Sequence, residues 1–128
     1  MERMSKMEFR QWLESRTTAF AIAVFKLLDA LPKKNSIGVI SFQLGKSASS
    51  IGANYREANR AESSDDFVHK LAIAVKESSE SCYWLEVLSG LYPMHAAIKK
   101  LFAECVEIRN LLQSIRTSVS KKSKVAKR

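Results

Sequence analysis

The chain has 128 residues, enough for one domain with a small core of its own. It contains only four glycines and two prolines, which argues against a many-stranded sandwich or barrel and favours a few long elements. The net charge is +8, but five basic residues and no acidic one lie in 117–128, which leaves +3 on residues 1–116. Most of the excess positive charge therefore belongs to the C-terminal end.

No segment has the features of a membrane-spanning or exported protein. The longest mostly apolar run, residues 19–28, contains Lys26 and is about half the ~20 residues that a bilayer span requires. The N-terminal segment shows no apolar signal sequence with a cleavage site. Cys82 and Cys105 lack the spacing of a zinc site or a disulfide framework, so both are predicted to be reduced core residues. A cytoplasmic protein is expected.

The first predicted helix covers residues 8–31 and ends before Pro32, because the residue before a proline is disfavoured in the α region. Ser5 and Glu8 have the spacing of a capping box at its start. The residues of its apolar stripe repeat at alternating steps of four and three: Leu13, Thr17, Phe20, Val24, Leu27 and Leu31. Further apolar residues widen this surface, which predicts a second buried face: Ala19, Ile22, Ala23 and Phe25.

The second and third predicted helices cover residues 36–60 and 64–89. The stripe of the second is Ile37, Ile40, Leu44, Ser47, Ile51, Tyr55 and Ala58. The stripe of the third is Phe67, Leu71, Ala74, Ser78, Ser81, Leu85 and Leu88. Both helices have small residues in the middle, which allow close backbone approach, so the two are predicted to pack against each other. Ser63 is a predicted N-cap, followed by acidic residues that complement the helix dipole.

The fourth predicted helix covers residues 93–118. Gly90 is expected to take the left-handed conformation after the third helix, and Pro93 to lie in the first turn of the fourth. The inward residues are predicted to be Ala97, Leu101, Cys105, Ile108, Leu112 and Ile115, widened by Ile98, Phe102 and Leu111. Short connections force successive helices antiparallel. The prediction is an all-α, up-down-up-down four-helix bundle over 1–118 with a basic, disordered tail over 119–128.

Motifs in the second and third helices resemble a known bacterial family. They are KSASSIGANYREA at 46–58, SDDFVHKLAIA at 64–74, KESSE at 76–80 and YWL at 83–85. The family is that of four helix bundle proteins encoded within intervening sequences of 23S rRNA genes, also labelled S23 ribosomal proteins. The resemblance extends in arrangement over residues 15–115. Lys46 stands where the family often has an arginine. If this position contacts a phosphate, lysine supplies the positive charge but cannot form the bidentate pair of hydrogen bonds that arginine can.

The resemblance implies a left-turning antiparallel bundle that assembles into a ring, a homopentamer in known members. A second apolar face on the first helix fits such an assembly. The usual proposal for the family is RNA or nucleic-acid binding, and a related branch serves as an accessory factor for a reverse transcriptase. The role of a particular member does not follow from membership.

Four polar residues match motif positions of the family and are expected at similar heights on two neighbouring helices: Asn54, Glu57, Glu77 and Glu80. Such a cluster could be a metal or ligand site, or a structural network that uses Arg56 and Arg60 to balance buried carboxylates. A di-iron bundle needs Glu-x-x-His ligands, and neither His69 nor His95 follows a glutamate at that offset. A structural network is the preferred interpretation, with no metal and no cofactor.

The sequence favours a binding protein over an enzyme. It has no Gly-rich phosphate loop, no GxSxG elbow and no HExxH motif, so no catalytic residue is assigned. The hypothesis of RNA or DNA binding depends on basic residues repeated around an oligomer: Lys46, Arg56, Arg60, Lys70, Lys76, Lys99, Lys100, Lys121, Lys122, Lys124, Lys127 and Arg128. Two alternatives stay open: these residues only solvate helix surfaces, or the protein is a scaffold that recruits another protein.

Overall fold

The computed structural model describes residues 3–126, with side chains described for residues 3–122. This part of the chain forms four α-helices and no strand: α1 (Lys6–Ala30), α2 (Asn35–Asn59), α3 (Ser64–Leu91) and α4 (Ala96–Ala126). Each helix packs against the next, and α1 also contacts α4, whereas the diagonal pairs make no close backbone contact. The predicted antiparallel four-helix bundle is confirmed. None of the described helices is both long and apolar enough to cross a bilayer.

Two helix starts are held by the caps that the sequence predicts. Ser5 accepts a hydrogen bond from the backbone N–H of Glu8 at 3.1 Å, and the Glu8 carboxylate accepts one from the backbone N–H of Ser5. In α3, the Ser63 hydroxyl accepts from the backbone N–H of Asp66 at 3.1 Å. These contacts satisfy N–H groups that have no partner inside the helix, and the first-turn carboxylates face the positive end of the helix dipole.

The connection between α3 and α4 differs from the prediction. Gly90 lies inside α3, and no described glycine has a positive φ, so the left-handed cap predicted at this residue is wrong. The helix ends instead where the backbone N–H of Tyr92 donates to the carbonyl of Leu88 at 2.8 Å. Pro93 lies in the turn that follows, and α4 begins at Ala96. A helix that closes with an ordinary backbone hydrogen bond needs no glycine after it.

Helix α4 also extends further than the sequence pattern indicates. The predicted end was residue 118, but the helix continues to Ala126, through eight residues of the segment 119–128 that was predicted to be disordered. The physical reason is that no glycine or proline interrupts the chain after Pro93. Lys127 and Arg128 lie outside the described residues. The division into a bundle over 1–118 and a basic tail over 119–128 stays a prediction.

The core consists of the predicted stripes with few exceptions. The six stripe residues of α1 and the seven of α2 are all buried, and in α3 only Phe67 is half-buried. In α4 the predicted inward residue Ala97 is exposed, and its neighbour Ile98 is fully buried in its place. Adjacent residues of a helix point in different directions, so only one of the two can face the core. Ile98 takes this position because it buries more apolar area than alanine can.

Small residues of α2 allow close contact with both neighbouring helices. A Cβ atom on Gly52 would lie 2.9 Å from Oγ1 of Thr17 in α1, which no real contact permits. On the other side, the buried hydroxyls of Ser47 in α2 and Ser81 in α3 are 2.8 Å apart. Each hydroxyl also has a backbone carbonyl on its own helix as an acceptor, Leu44 for Ser47 at 3.3 Å and Glu77 for Ser81 at 3.0 Å. α2 and α3 pack against each other, as predicted, and form the most extensive helix pair.

The contact between α1 and α4 is smaller and includes a network around one cation. Arg16 of α1 donates to both carboxylate oxygens of Glu104 in α4 at 2.6 and 2.7 Å, and to Glu107 at 2.6 Å. Its guanidinium also lies 5.3 Å from the ring centroid of Trp12. The hydrogen bonds from Arg16 hold the pKa of Glu104 below its ordinary value, against the opposing effect of burial. This network closes the bundle.

Replacing Gly52 with alanine is expected to destabilise the protein by about 1–2 kcal/mol, because overpacking against Thr17 outweighs the better helix propensity of alanine. Gly38→Ala is the matched control: nothing lies within 4 Å of its added Cβ, so it should stabilise by up to about 1 kcal/mol. Urea unfolding measures both changes. Thr17→Ala should partly restore the Gly52→Ala protein, and equal effects of the two glycine substitutions would contradict the steric account.

Replacing Glu104 with glutamine is expected to cost about 1–2 kcal/mol at neutral pH, since it removes the charge from a partly exposed bidentate pair. Glu104 has a lowered pKa in the folded protein, so it stabilises fully above its ordinary pKa of 4.5. That stabilisation is lost as the pH falls through the lower folded value, and the difference from wild type should then disappear. Unfolding measured from pH 7 to pH 3 tests this, with the exposed Glu86→Gln as a control that should show no such difference.

Candidate nucleic-acid interface

The structure distributes the predicted nucleic-acid-binding residues over the whole length of the bundle. Arg56, Arg60 and Lys70 lie near the end formed by the start of α1, the end of α2, the start of α3 and the end of α4. We call this the basic end. Lys121 and Lys122 lie at the same end, on α4. The remaining described members lie elsewhere: Lys46, Lys76, Lys99 and Lys100. Lys124 has only its backbone described, and Lys127 and Arg128 lie outside the described residues.

Lys99 and Lys100 do not belong to one surface with the basic end. Lys100 and Lys121 are 21 residues apart on the same helix, which at ~1.5 Å per residue separates them by about 32 Å along the axis. A single subunit therefore presents two separate basic regions, and the predicted set is not one continuous patch.

The two arginines of α2 are partly neutralised by a glutamate that the sequence analysis did not single out. Glu14 of α1 lies 3.3 Å from Nη1 of Arg56 and 3.5 Å from Nη1 of Arg60. Its carboxylate also accepts from the side-chain amide of Asn59 at 2.9 Å. Glu14 is only 14% exposed, whereas the arginines are 46% and 66% exposed. The mostly buried carboxylate of Glu14 therefore orients two guanidinium groups at the surface. The three charged groups together keep one net positive charge.

The predicted polar cluster of α2 and α3 is divided into two parts. Glu57 pairs with Lys70 at 3.6 Å, and Asn54 donates its side-chain amide to the backbone carbonyl of Ser50. Glu77 lies seven residues beyond Lys70 on α3, about 10 Å further along the axis. The four residues are thus not one site, because the register of the two helices separates Glu57 from Glu77.

Glu77 and Glu80 form the second part. Burial raises the pKa of Glu77, the nearby Glu80 raises it further, and Lys76 and Lys46 oppose the rise. Two of the predicted phosphate-binding lysines therefore lie close to carboxylates. Among residues 3–122, no group of three His, Cys, Asp or Glu side chains has the arrangement of a metal site.

The end of α4 is the strongest positive feature. Between residues 108 and 128 there are seven basic residues and no acidic one: Arg109, Arg116, Lys121, Lys122, Lys124, Lys127 and Arg128. The last five belong to the predicted set, whereas Arg109 and Arg116, both on α4, do not. The sequence pattern that indicates these two arginines is the absence of any acidic residue after Glu107. Of the described basic side chains in this segment, none forms an ion pair with a described carboxylate.

A largely apolar groove of about 850 Å³ lies between α1 and α4. Small residues of both helices contribute much of its lining. The apolar and small lining residues are Ala19, Phe20, Ala23, Leu27, Ala30, Ala97, Leu101 and Ala103. Lys26 and Lys100 line it with positive charge, Glu104 and Glu107 with negative charge.

A second apolar surface lies on the outer side of α1 and α2. Ile22 and Phe25 are 50% and 47% exposed on α1, and Val39 and Phe42 are 60% and 69% exposed on α2. The Phe25 ring rests on Gly45, where an added Cβ would lie 3.1 Å from it, and Gly45 is three residues from Phe42 on α2. We call these four residues the α1–α2 patch. Large apolar residues exposed together are typical of a surface that another molecule covers.

The comparisons with known proteins agree with the motifs of α2 and α3. The sequence profile described as 23S rRNA-intervening sequence protein matches residues 8–114. A crystal structure of a protein of unknown function from the S23 ribosomal protein family of Bacteroides thetaiotaomicron VPI-5482 is 36% identical, with a TM-score of 0.74. The match covers 81% of this chain and 97% of that one. No functionally curated protein matches the sequence. The chain therefore belongs to the 23S rRNA-intervening sequence protein family.

Proposed function

We propose that this protein is a non-enzymatic, cytoplasmic homo-oligomer that binds RNA or DNA through the basic end of the bundle. The observation that carries the proposal is the segment from 108 to 128, with seven basic residues and no acidic one. Phosphate groups attract such a segment whatever the base sequence, because each contact releases condensed counterions. The name of the family refers to a 23S rRNA intervening sequence and states no ligand.

The geometry supports α4 more strongly than the rest of the predicted set. Lys70 pairs with Glu57, and Glu14 compensates one of the two charges of Arg56 and Arg60. Lys121 and Lys122 are exposed, with no described carboxylate within ion-pair distance. They therefore need not exchange an internal partner for a phosphate.

An oligomer would repeat the basic end several times. The support for self-association is the α1–α2 patch, since burial of four large apolar residues is favourable by roughly 25 cal/mol per Å² of apolar area removed from water. The family resemblance of the sequence implies five subunits. Several weak basic surfaces in one particle bind a long polyanion much more tightly than one surface does.

The second candidate function is a scaffold that recruits another protein without binding nucleic acid. The groove between α1 and α4 favours it, because a long apolar depression with charged residues at its sides suits an amphipathic helix. Failure to bind RNA and DNA at low salt would leave this candidate as the better one.

Lys121→Gln/Lys122→Gln is expected to weaken binding to labelled RNA and DNA at least tenfold at low salt. It should also reduce the slope of log affinity against log salt concentration by about 2 for each subunit that contacts the nucleic acid, since each subunit loses two phosphate contacts. Fluorescence anisotropy across a salt series measures both quantities. The matched control is Lys99→Gln/Lys100→Gln, which removes the same charge from the other end of α4 and should have a much smaller effect. Equal effects of the two double variants would contradict an interface at the basic end.

Phe42→Glu is expected to dissociate the oligomer, because it places a charge in the middle of the α1–α2 patch. Light scattering of the wild type should give five times the chain mass of 14.4 kDa, and the variant should approach a single chain. Met94→Glu is the control, since Met94 is 87% exposed outside the patch.

Ala23→Glu tests in the same way whether the groove between α1 and α4 is the subunit interface. An unchanged mass for Phe42→Glu together with dissociation of Ala23→Glu would assign the subunit interface to the groove.

A further inference from the structure

The only two cysteines of the chain meet inside the bundle although they are 23 residues apart in sequence. Cys82 lies on α3 and Cys105 on α4, both are free thiols, and their sulfur atoms are 3.1 Å apart. A disulfide bond requires about 2.0 Å, so the sulfurs must approach by about 1 Å. Neighbouring side chains on two packed helices can supply such a movement by small rotations.

The two thiols have different surroundings. Cys82 is 5% exposed, whereas Cys105 is completely buried and donates a hydrogen bond to the backbone carbonyl of Ser78 at 3.3 Å. When Cys82 ionises, the Cys105 thiol can donate to it in place of the Ser78 carbonyl, which lowers the pKa of Cys82 against the effect of burial, and the positive charge of Arg109 lowers it further. The same hydrogen bond and burial raise the pKa of Cys105. Of the two buried thiols, Cys82 is thus the one that ionises more readily and the one with some exposure to solvent.

We propose that Cys82 and Cys105 form a redox-active dithiol that hydrogen peroxide converts to an intramolecular disulfide joining α3 to α4. The Cys82 thiolate attacks one peroxide oxygen, an S–O bond forms, the O–O bond breaks, and the leaving hydroxide takes a proton to become water. The Cys105 sulfur then attacks the sulfenic acid of Cys82. The S–S bond forms, the S–O bond breaks, and hydroxide leaves with the Cys105 proton as a second water. Two thiols lose two electrons, and one peroxide is reduced to two waters.

The consequence for the fold is a covalent link between two helices. The bond would close a loop between residues 82 and 105, which restricts the unfolded chain. α4 would then be fixed to α3 even if its contacts with α1 were lost. A thiol such as glutathione would reverse the reaction by thiol–disulfide exchange. This proposal is independent of nucleic-acid binding.

The test treats the purified full-length protein with a few equivalents of hydrogen peroxide and counts the remaining thiols by alkylation after denaturation. Thiol counting is needed because Met4, Met7 and Met94 are exposed and add mass when peroxide oxidises them. The expected result is loss of both thiols together, recovery with a reductant, and a cross-linked peptide that contains Cys82 and Cys105. The apparent Tm of the oxidised protein should rise by about 10 °C.

Two serine variants distinguish the order of reaction. Cys105→Ser should accumulate a sulfenic acid at Cys82 that dimedone traps, whereas Cys82→Ser should leave Cys105 at least tenfold less reactive. Circular dichroism checks that both variants fold, and the wild-type experiment stands even if one does not. Two thiols that persist in the folded wild type after peroxide treatment, or disulfides formed only between chains, would overturn the proposal.

Discussion

The arrangement of the whole bundle depends on the small side chains of α2. Gly52 leaves no room for a Cβ beside Thr17, and the hydroxyls of Ser47 and Ser81 meet at 2.8 Å on the opposite side. Both contacts bring helix backbones close together, and both set the register of α2 against its neighbours. Glycine and serine are poor helix formers in isolation, so their cost in propensity is offset by packing that larger residues would prevent. α1 and α3 take their positions from this helix.

The register of α2 against α1 and α3 explains which parts of the candidate site could be predicted from the sequence. The helices follow from periodicity, because a buried stripe must recur every 3.6 residues, and the caps follow from side chains that satisfy free N–H groups. The pairing of Glu14 with Arg56 and Arg60 could not be predicted, since it depends on how far α1 slides along α2. The separation of Glu57 from Glu77 has the same cause. The end of α4 could not be located either, since the periodic pattern fades there while helix-compatible residues continue.

The basic residues at the end of α4 and the apolar α1–α2 patch lie on different parts of the molecule. The described basic side chains at the end of α4 have no ion-pair partner among the described carboxylates, and the four exposed residues of the α1–α2 patch lie on two other helices. Such a separation would let the proposed subunit contact and the proposed polyanion contact coexist without competing for the same residues. The carboxylates near Arg56, Arg60 and Lys70 indicate that those basic residues mainly serve the packing of neighbouring helices, unlike the lysines of α4.

The sparse contact between α1 and α4 makes the four helices unequal in local stability. α2, α3 and α4 are joined by the two most extensive helix pairs, whereas α1 is held mainly from one side. The molecule behaves in this respect as a three-helix unit to which a fourth helix is attached. The opening with the lowest free energy is then release of α1, with the backbone amides of α1 exchanging with solvent hydrogen before those at the centre of α3.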